Sequence, residues 1–234
     1  MRKMFLAAGT AAFVLGLTGI ANAQEMPKVD ATASVSPTKA GTKSKPKAEK
    51  LKLSVKNDPA SKTTAAKITI TLPSTLKLST KGLDECKASD DALLGGPEKV
   101  CKKSIADKNG KANAVLNPFA APAPLAFKVV TVVSKGELRF VLTGAANAVL
   151  HGKIKGSKMT IEIPGFLQQP APGTFSALQD LSVNLSLKKG KNSLVSSTGC
   201  KGKKHKIGVQ VGYVPNPSPP AASSAKDTAE AKCS

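Results

Sequence analysis

Aromatic side chains are nearly missing from this sequence: 234 residues contain no tryptophan, one tyrosine and seven phenylalanines. That scarcity argues against a sugar-binding module, whose sites stack pyranose rings on exposed Trp or Tyr, and against a reader of single-stranded nucleic acid, which stacks bases in the same way. Histidine is almost as rare. Of the two present, His151 opens an apolar segment and His205 lies in a lysine run. Nucleophilic hydrolysis needs a serine or cysteine beside an oriented histidine, and no G-x-S-x-G elbow accompanies either one. Phosphate-cradling, dinucleotide-binding and H-E-x-x-H signatures are missing as well.

Metal chemistry fares no better. The cysteines have no C-x-x-C spacing and the histidines no paired-ligand spacing. Acidic residues concentrate at Asp84, Glu85, Asp90, Asp91 and Glu98, without the alternating ligands and glycine of a calcium loop. Asp90 and Asp91 read more simply as carboxylates favoured at a helix start. The expectation is a chain without cofactor or metal, and not an enzyme.

What is present begins with a leader. Arg2 and Lys3, an apolar stretch from Phe5 to Ile20 broken by small residues, and Ala21-Asn22-Ala23 form the three parts of a secretory signal peptide. The stretch is too interrupted for a membrane span. Residues 1–23 are therefore expected to be removed, leaving a short flexible segment at 24–28 and one domain over 29–233. The product is expected to be secreted, extracellular or wall-associated, without a transmembrane anchor.

Four cysteines in an exported chain, at 86, 101, 200 and 233, are most simply two disulfides. Three connectivities exist. The shortest loops join Cys86 to Cys101 and Cys200 to Cys233, and short loops are the easiest to close.

Alternation of apolar and polar residues dominates the rest of the chain, placing every second side chain on one face of a strand. It runs through Val29–Val35, Leu51–Val55, Ile68–Leu72, Leu76–Leu78, Met159–Ile163, Leu181–Leu187 and Ile207–Val211. Phe127–Val133 is more continuously apolar than the other segments and reads as a central strand covered on both faces, with Leu138–Leu142 as its hairpin partner across Lys135-Gly136. Asn109-Gly110, Gly156-Ser157 and Gly190-Lys191-Asn192 punctuate the gaps. Thr38–Lys50 and Pro215–Ser224 read as exposed polar crossings. One helical turn is expected, with Ser89 capping Asp90–Leu94 and Gly95-Gly96 ending it. About ten such strands predict an all-β, antiparallel β-sandwich, Ig-like or jelly-roll-like, with a barrel as the alternative. The prolines at 118, 122 and 124 mark the one place where the chain could divide into two smaller sandwiches.

Taken together, Leu72–Cys86, Cys101, Phe166–Asp180, Gly199-Cys200 and Ser36–Thr42 resemble a group of uncharacterised exported β-rich proteins of actinobacteria. The resemblance implies secretion, β architecture and a structural Cys86–Cys101 pair. It implies no activity and no functional residues.

Charge supplies the functional lead. Lys and Arg total 35 against 15 acidic residues, and loss of Arg2 and Lys3 takes the formal charge from +20 to +18. Lys39, Lys43, Lys45 and Lys47 crowd the first crossing, with Lys50, Lys52 and Lys56 behind them. Lys188, Lys189, Lys191, Lys201, Lys203, Lys204 and Lys206 crowd the last hairpin without an acidic neighbour. Outward lysines also serve solubility and keep sheet edges from pairing. A field of this size, however, attracts anionic polymers. The leading expectation is a non-enzymatic cationic protein associated with anionic envelope or extracellular polymers, without specific nucleic-acid recognition. A carrier with an apolar pocket inside the sandwich is the second. A hydrolase of unfamiliar design is the third, requiring a pocket that joins His151 or His205 to a carboxylate.

Overall fold

A computed structural model describes residues 27–57, 63–117, 124–214 and 224–234. The leader and its cleavage site, the dividing prolines 118 and 122, and most of the Pro215–Ser224 crossing lie outside the described residues. No helix among the described residues is long and apolar enough to cross a membrane.

The strands are β1 (Val29–Ser36), β2 (Lys47–Asn57), β3 (Thr64–Thr71), β4 (Leu76–Leu78), β5 (Ile105–Asn117), β6 (Leu125–Ser134), β7 (Glu137–Gly144) and β8 (Ala148–Lys155). They continue with β9 (Lys158–Glu162), β10 (Phe175–Leu185), β11 (Lys188–Lys189), β12 (Asn192–Ser193), β13 (Val195–Ser197), β14 (Lys204–Val214) and β15 (Ser224–Lys232). Three short helices, α1 (Asp90–Leu94), α2 (Pro97–Val100) and α3 (Gly165–Gln168), interrupt them.

The fold is all-β and antiparallel, as the alternation predicts. Its layers are two parts of one rolled sheet, in the order β15-β14-β3-β9-β8-β7-β6-β5-β10-β2-β13-β4, with β1 on β2. β3 and β10 face each other across the interior, and β1 returns beside β15. There the Ala31 N–H donates to Asp227 Oδ2 at 2.7 Å, joining the two ends of the roll. Inward residues of each strand meet in one continuous core that includes Leu51, Leu53, Val55, Ile68, Ile70, Leu138, Val183, Ile207 and Val209.

β6 is buried on both faces from Val129 to Ser134, which includes most of the apolar segment read as a central strand, whereas Lys128 before it is exposed. Its outer face packs in a second cluster of Val130, Val132, Val141, Leu93 and the Cys86–Cys101 pair. The loop between those cysteines is therefore a cover for the sheet. Ser89 Oγ accepts the Ala92 N–H at 3.3 Å to start α1, and Gly95 is its C-cap. The two disulfides are Cys86–Cys101 and Cys200–Cys233, with Cα separations of 5.4 and 5.8 Å. In the chain-entropy relation, loops of these lengths contribute about 3 and about 3.7 kcal/mol.

Several local expectations are corrected. Asn109-Gly110 is not a turn; it lies inside β5, where pairing with β6 slips in register between Asp107 and Gly110. Glycine is required there, because a Cβ would sit 2.7 Å from the Val129 carbonyl oxygen. The first crossing ends earlier than Lys50, since Lys47–Lys50 already belong to β2. The segment after the Pro215–Ser224 crossing, where no strand is expected, is strand β15, with Ala225, Ala229 and Ala231 turned into the core.

Antiparallel pairing gives the roll two poles. Asn57, Thr64, Gly144, Glu162, Phe175 and Val214 end at one. The β6–β7 and β8–β9 turns after Ser134 and Lys155, the open end of the β14–β15 pair at Lys204 and Lys232, and the Cys200–Cys233 bridge lie at the other.

Candidate functional site

At the first pole the interior does not fill. An apolar cavity of about 230 Å³ opens between β3, β5, β6, β7, β9 and β10. Its walls follow from period-two alternation: Ala112 and Ala114 on β5, Phe127 on β6, Phe140 and Leu142 on β7, and Leu178 on β10 all point inward. The space exists because Ala112 and Ala114 on β5, and Ala65 on β3, are alanines where other strands carry Leu, Ile or Val. Gly152 of β8 lets Phe140 lie flat, since a Cβ there would come within 2.7 Å of the ring. α3 packs on both β3 and β10 at the rim. The Gln168 side-chain amide donates to the Ile163 carbonyl, and Phe166 stands at the opening, 57% exposed.

Ser176 is the one polar residue lining the cavity among the described residues. It shares the inward face with Leu178, opposite Leu116 of β5, and its hydroxyl has no partner among the described residues. No lysine, arginine, aspartate or glutamate among the described residues lines the space.

The lysines lie elsewhere. Lys39, Lys43 and Lys45 occupy the crossing between β1 and β2; Lys47 begins β2. Lys188 and Lys189 form β11, Lys191 its turn, Lys201 and Lys203 the loop before β14, and Lys204 and Lys206 its first residues. Most are exposed. The C-terminus draws the first crossing to the Lys201–Lys204 loop: Ala40 N donates to Ser234 O at 2.7 Å, Ser234 N to Thr38 O at 2.8 Å, and Cys233 N to Lys203 O at 2.9 Å. Both lysine groups therefore sit toward the pole opposite the cavity mouth. Tertiary structure also supplies the acidic partners that the local sequence lacks. Lys189 Nζ lies 2.6 Å from Asp84, and Lys204 pairs with Glu230. That hydrogen bond from Lys204 holds the Glu230 carboxyl below its ordinary value.

Both histidines contact other side chains. His151 bridges two carboxylates, with Nε2 at 3.0 Å from Asp90 and Nδ1 at 3.2 Å from Glu137. Arg139 reinforces the pair, reaching Glu137 at 2.9 Å and donating to the Ala88 carbonyl at 2.6 Å. With each ring nitrogen facing a carboxylate, the imidazole has no free nitrogen for a nucleophile. The arrangement fastens the first cysteine loop to β7 and β8. His205 is fully buried, and its Nδ1 lies 2.8 Å from Thr75 Oγ1. Burial lowers its pKa from the ordinary value and keeps the ring neutral. No group of three His, Cys, Asp or Glu side chains is disposed to hold a metal ion among the described residues.

Glu49 is also buried, and neither carboxylate oxygen has a hydrogen-bond donor. Burial raises its pKa; Ser197 and Lys47 act in the opposite sense and do not cancel it. Ser197 Oγ donates to the Gly199 carbonyl at 3.1 Å, so its single proton is spent there.

Compared with known proteins, the chain matches no protein-family model, no curated protein and no solved structure.

Proposed function

We propose that this protein is a non-enzymatic, secreted carrier of a small apolar ligand, held in the cavity between β3, β5 and β10. The observation that supports it is the cavity itself, about 230 Å³ of space with a single polar residue on its described walls. Voids in close-packed interiors are expensive. At about 24 cal/mol per Å³, an unfilled space of this size forgoes up to about 5 kcal/mol, an upper figure because the cavity opens to solvent. Typical net stabilities are only about 5–15 kcal/mol. Larger residues at Ala112 or Ala114 would recover part of that loss, so retention of alanine fits a space that is filled from outside.

Solvent extraction of natively purified protein tests this reading. A bound lipophile should be recovered from the wild type and be lost from Ala114→Leu, in which the space is occupied. Equal recovery from both would place the lipophile elsewhere and overturn the reading.

A second reading concerns the opposite pole and rests on a separate observation, the tie between Thr38, Ala40 and Ser234 that gathers two lysine groups. Lys39, Lys43, Lys45, Lys201 and Lys203 form a cationic surface there that suits anionic envelope polymers. The cavity mouth at the other pole would then stay free while the protein is held.

A further inference from the structure

We infer that the cavity selects a small neutral lipophile with one hydrogen-bonding group, which Ser176 meets, and rejects the ionised counterpart of the same size. The inference rests on the carrier reading and adds the chemical class of the ligand.

Three observations carry it. The first is volume. A cavity of about 150 Å³ accommodates the six carbons of benzene, so about 230 Å³ accommodates about nine non-hydrogen atoms by the same scaling. That is below the range of drug-sized pockets.

The second is charge. The chain has 35 Lys and Arg residues, yet among the described residues none of them lines the space. The described connections at the mouth are uncharged too, both Gly144–Ala148 and Ile163–Phe175. Lys67 and Glu162, which adjoin wall residues in sequence as Lys111 and Lys128 also do, are exposed and opposite one another in the β3–β9 register. They stand on the outer face, because Ile68 and Ile161 beside them point inward. A carboxylate small enough to be enclosed would lose its water without gaining a countercharge, which is prohibitive for an ionised group.

The third is the Ser176 hydroxyl, an unpartnered donor and acceptor at the mouth end of β10. An alcohol, ketone or ester can reach it; a plain hydrocarbon leaves it unused. One neutral hydrogen bond corresponds to about a fivefold preference.

The test compares 1-octanol, octane and octanoate at pH 7 by methyl NMR titration, following Ala112, Ala114 and Leu178. Octanoate should be weaker than octanol by a hundredfold or more. Ser176→Ala should lower the octanol-to-octane affinity ratio about fivefold, by weakening octanol, and leave octane unchanged. Octanoate binding within tenfold of octanol, or an octanol-to-octane ratio unaltered by Ser176→Ala, would overturn the selectivity while leaving the carrier reading in place. If none of the three shifts those methyl signals, both fall.

Discussion

Asp107 on β5 reaches across to Asn184 on β10 and accepts its backbone N–H at 2.7 Å. The other carboxylate oxygen accepts the Asn109 N–H at 2.9 Å, so one buried side chain satisfies both sides of the β5 bulge. Without it, two donors near the interior would lose their acceptor. Asp107→Ala should cost about 2–4 kcal/mol, and Asp107→Asn, which keeps one acceptor oxygen, roughly half of that. Urea unfolding of the two variants checks the order. Equal losses would mean that the bulge does not depend on the carboxylate.

Glu49 and His205 give the stability two opposed pH dependences. Burial raises the Glu49 pKa, so the folded state holds this proton at a pH where the unfolded chain has released it. Stability is then greatest below the ordinary glutamate pKa and falls as pH rises from it through the raised value. His205 works in the other direction. Its pKa is lowered, and stability falls as pH drops below the ordinary histidine value, where only the unfolded chain takes up the proton. Glu49→Gln should therefore raise the melting temperature at pH 8, by about 1 kcal/mol of stability, and have little effect at pH 4. A constant difference between wild type and Glu49→Gln across that range would contradict the assignment.

Polymer binding at the lysine pole should depend steeply on salt. Contacts with several phosphates release counterions, so affinity falls severalfold or more between 50 and 200 mM salt, roughly as a power of concentration. Changing Lys39, Lys43, Lys201 and Lys203 to Gln should flatten that slope, whereas changing Lys189 and Lys204, already paired with Asp84 and Glu230, should alter it less. Thermal unfolding should hardly move, because exposed lysines contribute little to stability. Teichoic acid affinity measured at several salt concentrations separates these cases; equal effects from the two sets would remove the ion pairs from consideration.

Strands built on bulky alternation, such as Leu51–Val55 and Ile207–Val211, were legible because their inward residues are strongly apolar. The disulfide pairing followed from loop length, and α1 from its Ser89 cap. β15 was not legible: its inward residues are Ala225, Ala229 and Ala231, and alanine carries little strand signal. β5 was hidden by Asn109-Gly110, a pair that marks a hairpin turn locally but is held inside a bulge by Asp107, whose second carboxylate oxygen is engaged by Asn184, far away in sequence on β10. The cavity was hidden for the same reason. Inward alanines on β5 define space only once that strand is placed beside β10 in the rolled sheet. His151 offered no sequence cue either, since Asp90 and Glu137 are 61 and 14 residues away from it.

The most direct test of the central claim is a thermal unfolding measurement on wild type and Ala114→Leu, each with and without 1-octanol. Ligand that binds only the folded state raises its stability by about 2.7 kcal/mol at a hundred times the dissociation constant, which for a domain of this size is a rise of roughly 5–10 °C. Ala114→Leu should start higher than wild type, by about 1 kcal/mol or roughly 3 °C, because its side chain occupies the void, and should not respond to octanol. A wild-type protein that ignores octanol, or a variant that responds to it as strongly as wild type, would show that the cavity between β3, β5 and β10 is not a ligand site.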